Sequence, residues 1–225
     1  MNQQNIIHKT HQYLKETLSS AEGGHDYWHT YRVWQNAILI QKHEGGQPTI
    51  IELASLLHDI ADSKFHDGDE TIGPRTAREF LEKENCEPAI IEQVVKIIEN
   101  ISFKGGHNES KYNSLELSVV QDADRLEAIG AIGIARTFNY GGHKGSLLFD
   151  PNHIPNLNMS KEEYKKGGAP TINHFYEKLL LLKELMKTET GRSMANERHD
   201  FMVSFLKQFY KEASFDINNT PFTIE

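Results

Sequence analysis

Residues 53–61 read Leu-Ala-Ser-Leu-Leu-His58-Asp59-Ile-Ala, an imidazole and a carboxylate side by side in an otherwise apolar run. Withdrawing either group from water costs several kcal/mol or more unless a metal, a proton or hydrogen bonds compensate. A metal ion satisfies both groups at once, and the chemistry it offers is hydrolysis. A core histidine hydrogen-bonded to its neighbour is the plainer arrangement, and the pair alone does not separate the two.

Two further segments carry groups of the same kind. Upstream, His25-Asp26-Tyr27-Trp28-His29 sets two imidazoles four residues apart, on one face if the segment is helical. One reading is a variant of the His-Glu-x-x-His motif of zinc peptidases, with Asp26 in place of the catalytic Glu. The other uses His29 alone as a ligand and leaves His25 at the helix mouth, facing an anion. Downstream, residues 115–129 place Asp122 and Asp124 in an amphipathic helix, two residues apart and so pointing in roughly opposite directions. Asp124 shares a helical row with Leu117, Val120, Ala128 and Ala131 and points inward, toward a metal or toward a buried arginine such as Arg32. Asp122 is expected to cap a segment or to support a neighbouring ligand.

The elements that must position these residues are helices. Apolar residues recur at three- and four-residue spacing through most of the chain, and no sustained run alternates apolar with polar residues. Helices are expected over 5–19, 27–43, 49–59, 74–84, 88–101, 114–140, 172–188 and 192–212, arranged as an all-α orthogonal bundle. Thr49 followed by Glu52 matches a capping box. Trp28, Trp34 and the aromatic residues from Phe201 to Tyr210 are expected in the core. The glycine- and proline-rich stretch 141–170 is expected to be irregular, either a lid or a surface loop.

With 225 residues, 38% hydrophobic and 25% charged, the expectation is one domain spanning 1–225, with the chemistry in about 20–130 and helices of 171–214 packed on it. A single cysteine, Cys86, excludes an internal disulfide and any multi-cysteine zinc cage, and suits a reducing compartment. No run approaches a membrane span and the N-terminus lacks the order of a secretion signal, so a cytoplasmic location with no membrane partner is expected. A net charge of −8 argues against a general grip on a nucleic-acid polymer, while the 12 histidines favour metal or proton chemistry.

The order His29, then His58-Asp59, then Asp124 resembles the H…HD…D signature of the HD-domain superfamily of metal-dependent phosphohydrolases. The flanking residues agree: His-x-x-Arg-Val at 29–33, an apolar helix ending Leu-Leu-His-Asp, and Ala-Asp-Arg-Leu at 123–126. The later stretches Ala-Arg-Thr-Phe-Asn-Tyr-Gly-Gly and Asn173-His-Phe-Tyr-Glu-Lys-Leu are similar to a bacterial subgroup of small single-domain members. The resemblance implies an HD or phosphodiesterase-like fold and His29, His58, Asp59 and Asp124 as ligands of one divalent ion. Two imidazoles and two carboxylates suit Mn first, with Fe, Co, Ni, Zn or Mg as alternatives, and leave open positions for water and a phosphoryl oxygen.

In that frame Asp62, one turn past His58, is the expected general base, and Lys64 and His66 would meet phosphate charge and donate a proton. Further phosphate contacts are expected among His25, Arg32, Arg136, His143, Lys144, His174 and Lys178, the last two again four apart. The implied substrate is a small phosphorylated molecule, a nucleotide. The implied reaction takes a (deoxy)nucleoside triphosphate to the monophosphate and pyrophosphate, in a monomer or homodimer. A nucleotide phosphomonoesterase, a cyclic or stringent-response nucleotide phosphodiesterase and a metal-stabilised binding module without catalysis are the alternatives.

Overall fold

The computed structural model describes residues 3–19, 26–61, 69–101, 112–157 and 168–215, and among these it is helical with no strand. The chain divides into two compact units, Met1–Asp124 with Lys187–Gly191, and Arg125–Met186 with Arg192–Glu225.

In the first unit α1 (Gln3–Thr17) buries Ile6, Ile7, Thr10 and Leu14, one helical stripe. The second helix, α2 (Tyr27–Glu44), begins at Asp26, whose carboxylate accepts the His29 N–H at 2.9 Å, and ends at Gly45 with φ +87°. Its inner stripe is His29, Thr30, Val33, Ala37 and Ile40, so the histidine lies in the row that otherwise makes core. Helix α3 (Pro48–Leu57) is apolar nearly all round and packs against α1, α2 and α5 (Pro88–Ile101). The amphipathic α4 (Ile72–Lys83) lies against α5. Helix α6 (Leu115–Glu127) starts where the Ser114 hydroxyl accepts the Leu117 N–H at 3.1 Å, and buries Leu117, Val119, Val120, Ala123 and Leu126.

In the second unit α7 (Gly130–His143), α8 (Asn173–Glu177), a 3₁₀ segment (Leu179–Leu185) and α9 (Glu189–Glu212, its first turn in the first unit) surround an aromatic core. Phe138, Phe175, Phe205 and Phe209 make it, with ring centroids 5.7–6.5 Å apart. The N–H groups of Thr171 and Ile172 donate to the carbonyls of Leu147 and Leu148 at 2.8 and 3.1 Å, tying down the connection after α7.

Several expected elements differ. The helix expected over 114–140 is two, because the chain leaves helical geometry at Ile129 and Gly130 takes φ +76°. Gly133 then approaches so closely that a Cβ there would lie 2.2 Å from the Ala128 carbonyl oxygen. The helix expected over 172–188 breaks at Lys178 (φ −145°, ψ −57°) into α8 and the 3₁₀ segment. No capping box forms at Thr49. Gln47 is the cap residue, and Glu52 instead accepts the Trp34 indole N–H at 2.9 Å and the Gln3 amide at 3.2 Å. Trp28 and Phe201, expected in the core, are 59% and 53% exposed. In the stretch 141–170, helix α7 continues to His143, and residues 158–167 lie outside the described ones.

Candidate metal centre

Three helices of the first unit bring four chemistry-bearing residues together. His29 stands in the first turn of α2, at the residue whose N–H the Asp26 cap receives. His58 is the residue on which α3 ends, Asp59 follows it, and Asp124 lies in the last turn of α6. The Asp59 Oδ2 is 3.3 Å from His29 Nε2 and 3.6 Å from His58 Nε2, and the Asp124 Oδ1 is 3.7 Å from both imidazole nitrogens. The two rings are 5.3 Å apart at 65°. The imidazoles are buried, while the carboxylates keep 22% and 38% of their side-chain surface in solvent. The centre is therefore dry on its histidine side and open on its carboxylate side.

One atom tests whether these residues fit a metal ion. His58 Nδ1 lies 2.8 Å from the Ser55 carbonyl oxygen, which can only accept, so Nδ1 carries the proton and Nε2 presents a bare lone pair. That Nε2 is buried and has no hydrogen-bond partner. Its neighbours include carboxylate oxygens, which when ionised also only accept, and a cation placed among them would satisfy all of these groups at once. Bonds of about 2.0–2.2 Å at tetrahedral to octahedral angles put donor atoms about 2.8–3.6 Å apart. The Asp59 spacings of 3.3 and 3.6 Å fall in this range and the two Asp124 spacings of 3.7 Å lie just above it, and His29, His58 and Asp59 offer ligand atoms all within 4.8 Å of one another. A backbone carbonyl holding the far nitrogen is also how metal-binding imidazoles are fixed in tautomer and orientation.

The remaining expected site residues fall elsewhere. Asp62, Lys64, His66 and His25 lie outside the described residues. The zinc-peptidase reading is overturned, because the Asp26 carboxylate is spent on capping α2. Arg32 is half-buried on α2, one turn past His29. The other cations belong to the second unit. Arg136 pairs at 2.9 Å with Glu127, which is buried, so its charge already has a structural counterpart. His143 is exposed at the end of α7, and the Lys144 ammonium sits 5.6 Å from the Tyr140 ring centroid. His174 has its pKa pushed down to about 4, by burial first and the Lys178 ammonium second, so it is neutral at pH 7. Lys178 lies just past the end of α8, its N–H on the His174 carbonyl at 3.0 Å. Sequence reasoning passed over Trp28 as core, although its exposed place next to His29 follows from a helical turn of about 100° per residue.

An HD domain model matches residues 27–129, which include all four residues of the centre. The Bacillus subtilis protein YpgQ is 34% identical over 208 residues, covering 89% of this chain and 90% of YpgQ. The chain belongs to the HD-domain superfamily. An HD-superfamily hydrolase from Bacillus thuringiensis is 40% identical with a TM-score of 0.75, covering 95% of this chain and 99% of its own. A Lactobacillus plantarum structure is 34% identical with a TM-score of 0.79, again over 95% and 99%. A YpgQ crystal structure in complex with ADP is 31% identical with a TM-score of 0.71, over 92% and 97%. As an HD-superfamily member the protein is a metal-dependent hydrolase, and His29, His58 and Asp59 can form the divalent-metal site that HD domains carry. No helix among the described residues is long and apolar enough to cross a membrane.

Proposed function

We propose that this HD protein hydrolyses a (deoxy)nucleoside triphosphate to the monophosphate and pyrophosphate, using one divalent ion, Mn foremost, held by His29, His58, Asp59 and Asp124. The observation that carries the metal is the buried, partnerless Nε2 of His58 among carboxylate oxygens. When bound, such an ion polarises a phosphoryl oxygen and makes water a better nucleophile near neutral pH. The chain's own residues supply the rest. The Ser55 carbonyl holds the His58 ring in one tautomer, the Asp26 cap fixes the turn bearing His29, and the half-exposed carboxylates face the side from which substrate enters.

Asp62 accepts the proton of the attacking water, with Lys64, His66, His25 and Arg32 meeting the phosphate oxygens. In the second unit His143, Lys144 and Lys178 are the further candidates for phosphate contacts, Arg136 being paired with Glu127. His174, neutral at pH 7, offers a hydrogen bond rather than a charge. Two observations favour a nucleotide over inorganic phosphate. The relative YpgQ crystallised with ADP. Trp28, adjacent to His29 and 59% exposed, is supported edge-on by Tyr27 and Tyr31 at 5.2 and 5.8 Å, the arrangement of a platform for a base.

Purified protein with Mn²⁺, offered nucleoside triphosphates, monophosphates, cyclic nucleotides and guanosine tetraphosphate, should release pyrophosphate from triphosphates. His58→Ala and Asp59→Ala should abolish the release. Orthophosphate from monophosphates, or turnover of the cyclic or tetraphosphate substrates alone, would reassign the reaction. Activity surviving both substitutions would remove the centre from catalysis.

A further inference from the structure

The centre's carboxylate helix is held by a segment far away in sequence. Asp122, fully buried in α6, receives the Thr188 N–H on Oδ2 at 2.7 Å and the Thr188 hydroxyl at 2.8 Å. The Lys187 N–H lies 2.9 and 3.0 Å from its two oxygens. The same Thr188 hydroxyl accepts the Gly191 N–H at 3.0 Å, capping the start of α9. A Cβ on Gly191 would lie 2.6 Å from Asp122 Oδ2, so only glycine lets the strap approach this closely. The Thr190 N–H reaches across to Glu44, the last residue of α2, at 2.6 Å, and this bond is the main cause holding the Glu44 carboxyl below the usual carboxylate range.

The strap 187–191 thus grips both α2, which carries His29, and α6, which carries Asp124. Asp122 and Asp124 are two residues apart on one helix, so the turn pinned by the first carboxylate is the turn that presents the second. We infer that the strap is a positioning device for the metal centre, with Asp122, Thr188, Gly191 and Glu44 setting where Asp124 stands relative to His29. The inference rests on the reading of those four residues as metal ligands. Plain adhesion does not require this chemistry, since apolar packing of similar volume would hold two segments at least as well as a buried carboxylate. What charge-assisted hydrogen bonds add is fixed direction, and ligand geometry tolerates displacements of only about 0.5 Å.

The test measures Mn²⁺ affinity, from the paramagnetic signal of free Mn²⁺, on the whole protein well below the melting temperature of each variant. Thr188→Val, which removes the hydroxyl at nearly constant volume, should weaken Mn²⁺ binding about 10–100-fold with helical content unchanged, the range seen when a group supporting a metal ligand is lost. Thr188→Ser should restore most of it. Asp122→Asn should behave like Thr188→Val. If it does not fold, Glu44→Gln tests the α2 end of the strap, with a smaller loss expected. Wild-type Mn²⁺ affinity in folded Thr188→Val with a lowered melting temperature would reduce the strap to a structural tie and overturn the inference. A wild-type protein that binds no Mn²⁺ or other divalent ion would instead overturn the metal reading beneath it.

Discussion

His174 gives the sharpest physical test of the second unit. Its pKa is lowered from an ordinary 6.5 to about 4, chiefly by burial and secondly by Lys178. An unfolded chain takes up a proton at this position as pH falls through about 6.5, while the folded chain takes it up only near 4, so the folded state loses stability across that window. The full difference, about 2.5 pH units at about 1.4 kcal/mol each, is about 3 kcal/mol and is reached only below pH 4. At pH 5 the unfolded form is almost fully protonated and the folded form hardly at all, and the loss relative to high pH is about 2 kcal/mol. Urea unfolding at pH 7.5 and pH 5, repeated on His174→Gln, should show the variant losing about 2 kcal/mol less between the two pH values than the wild type. Imidazole proton resonances followed by NMR should place the His174 midpoint near 4. A midpoint near 6.5, or an identical pH dependence in the variant, would refute both the burial argument and the neutral role at pH 7.

Mn²⁺ at a hundredfold excess over its dissociation constant should add about 2.7 kcal/mol of stability, or about 5–10 °C in melting temperature for a chain of this size, and a chelator should reverse it. In His58→Ala the shift should vanish, and a full shift there would place the ion elsewhere. Trp28→Ala should raise KM for nucleoside triphosphates about 5–150-fold, matching a stacked base worth about 1–3 kcal/mol, with kcat little changed. Fluorescence quenching by nucleotide should disappear with it, since Trp34 is half-buried and bonded to Glu52, and an unchanged KM would remove Trp28 from the site. Gly133→Ala should destabilise by about 1–3 kcal/mol, because its Cβ would meet the Ala128 carbonyl at 2.2 Å. Calorimetry showing no loss would mean that the α6–α7 turn yields easily.

The grouping of the four residues of the candidate centre was legible because they interrupt apolar patterns. His58-Asp59 breaks the run that makes α3, His29 stands in the inner row of α2, and Asp124 lies in the row of Leu117 and Val120. Periodicity failed where apolar spacing continues through a change of backbone. The helix expected over 114–140 bends at Gly130, and the leucine run after Lys178 suits a 3₁₀ turn as well as an α-helix. The Asp122 strap left no local trace, since its partners lie 65 and 66 residues away. Trp28 was misjudged because large aromatic residues are usually interior, and only its neighbours on α2 show which side of the helix it takes.

The family match ends at residue 129, whereas the hydrogen bonds that hold Asp122 come from Lys187 and Thr188. During synthesis all four residues of the candidate centre leave the ribosome long before the strap does. Closing a loop of that length costs about 4 kcal/mol of chain entropy beyond a constant, so the grip on α6 is a contact of high sequence separation. A fragment trimmed to 27–129 would keep all four candidate metal ligands and leave the Asp122 carboxylate without its strap partners. On the proposed reading the metal centre is therefore finished by a segment whose hydrogen bonds come from 65 and 66 residues further along the chain, and shortening the chain to its motif would loosen the motif.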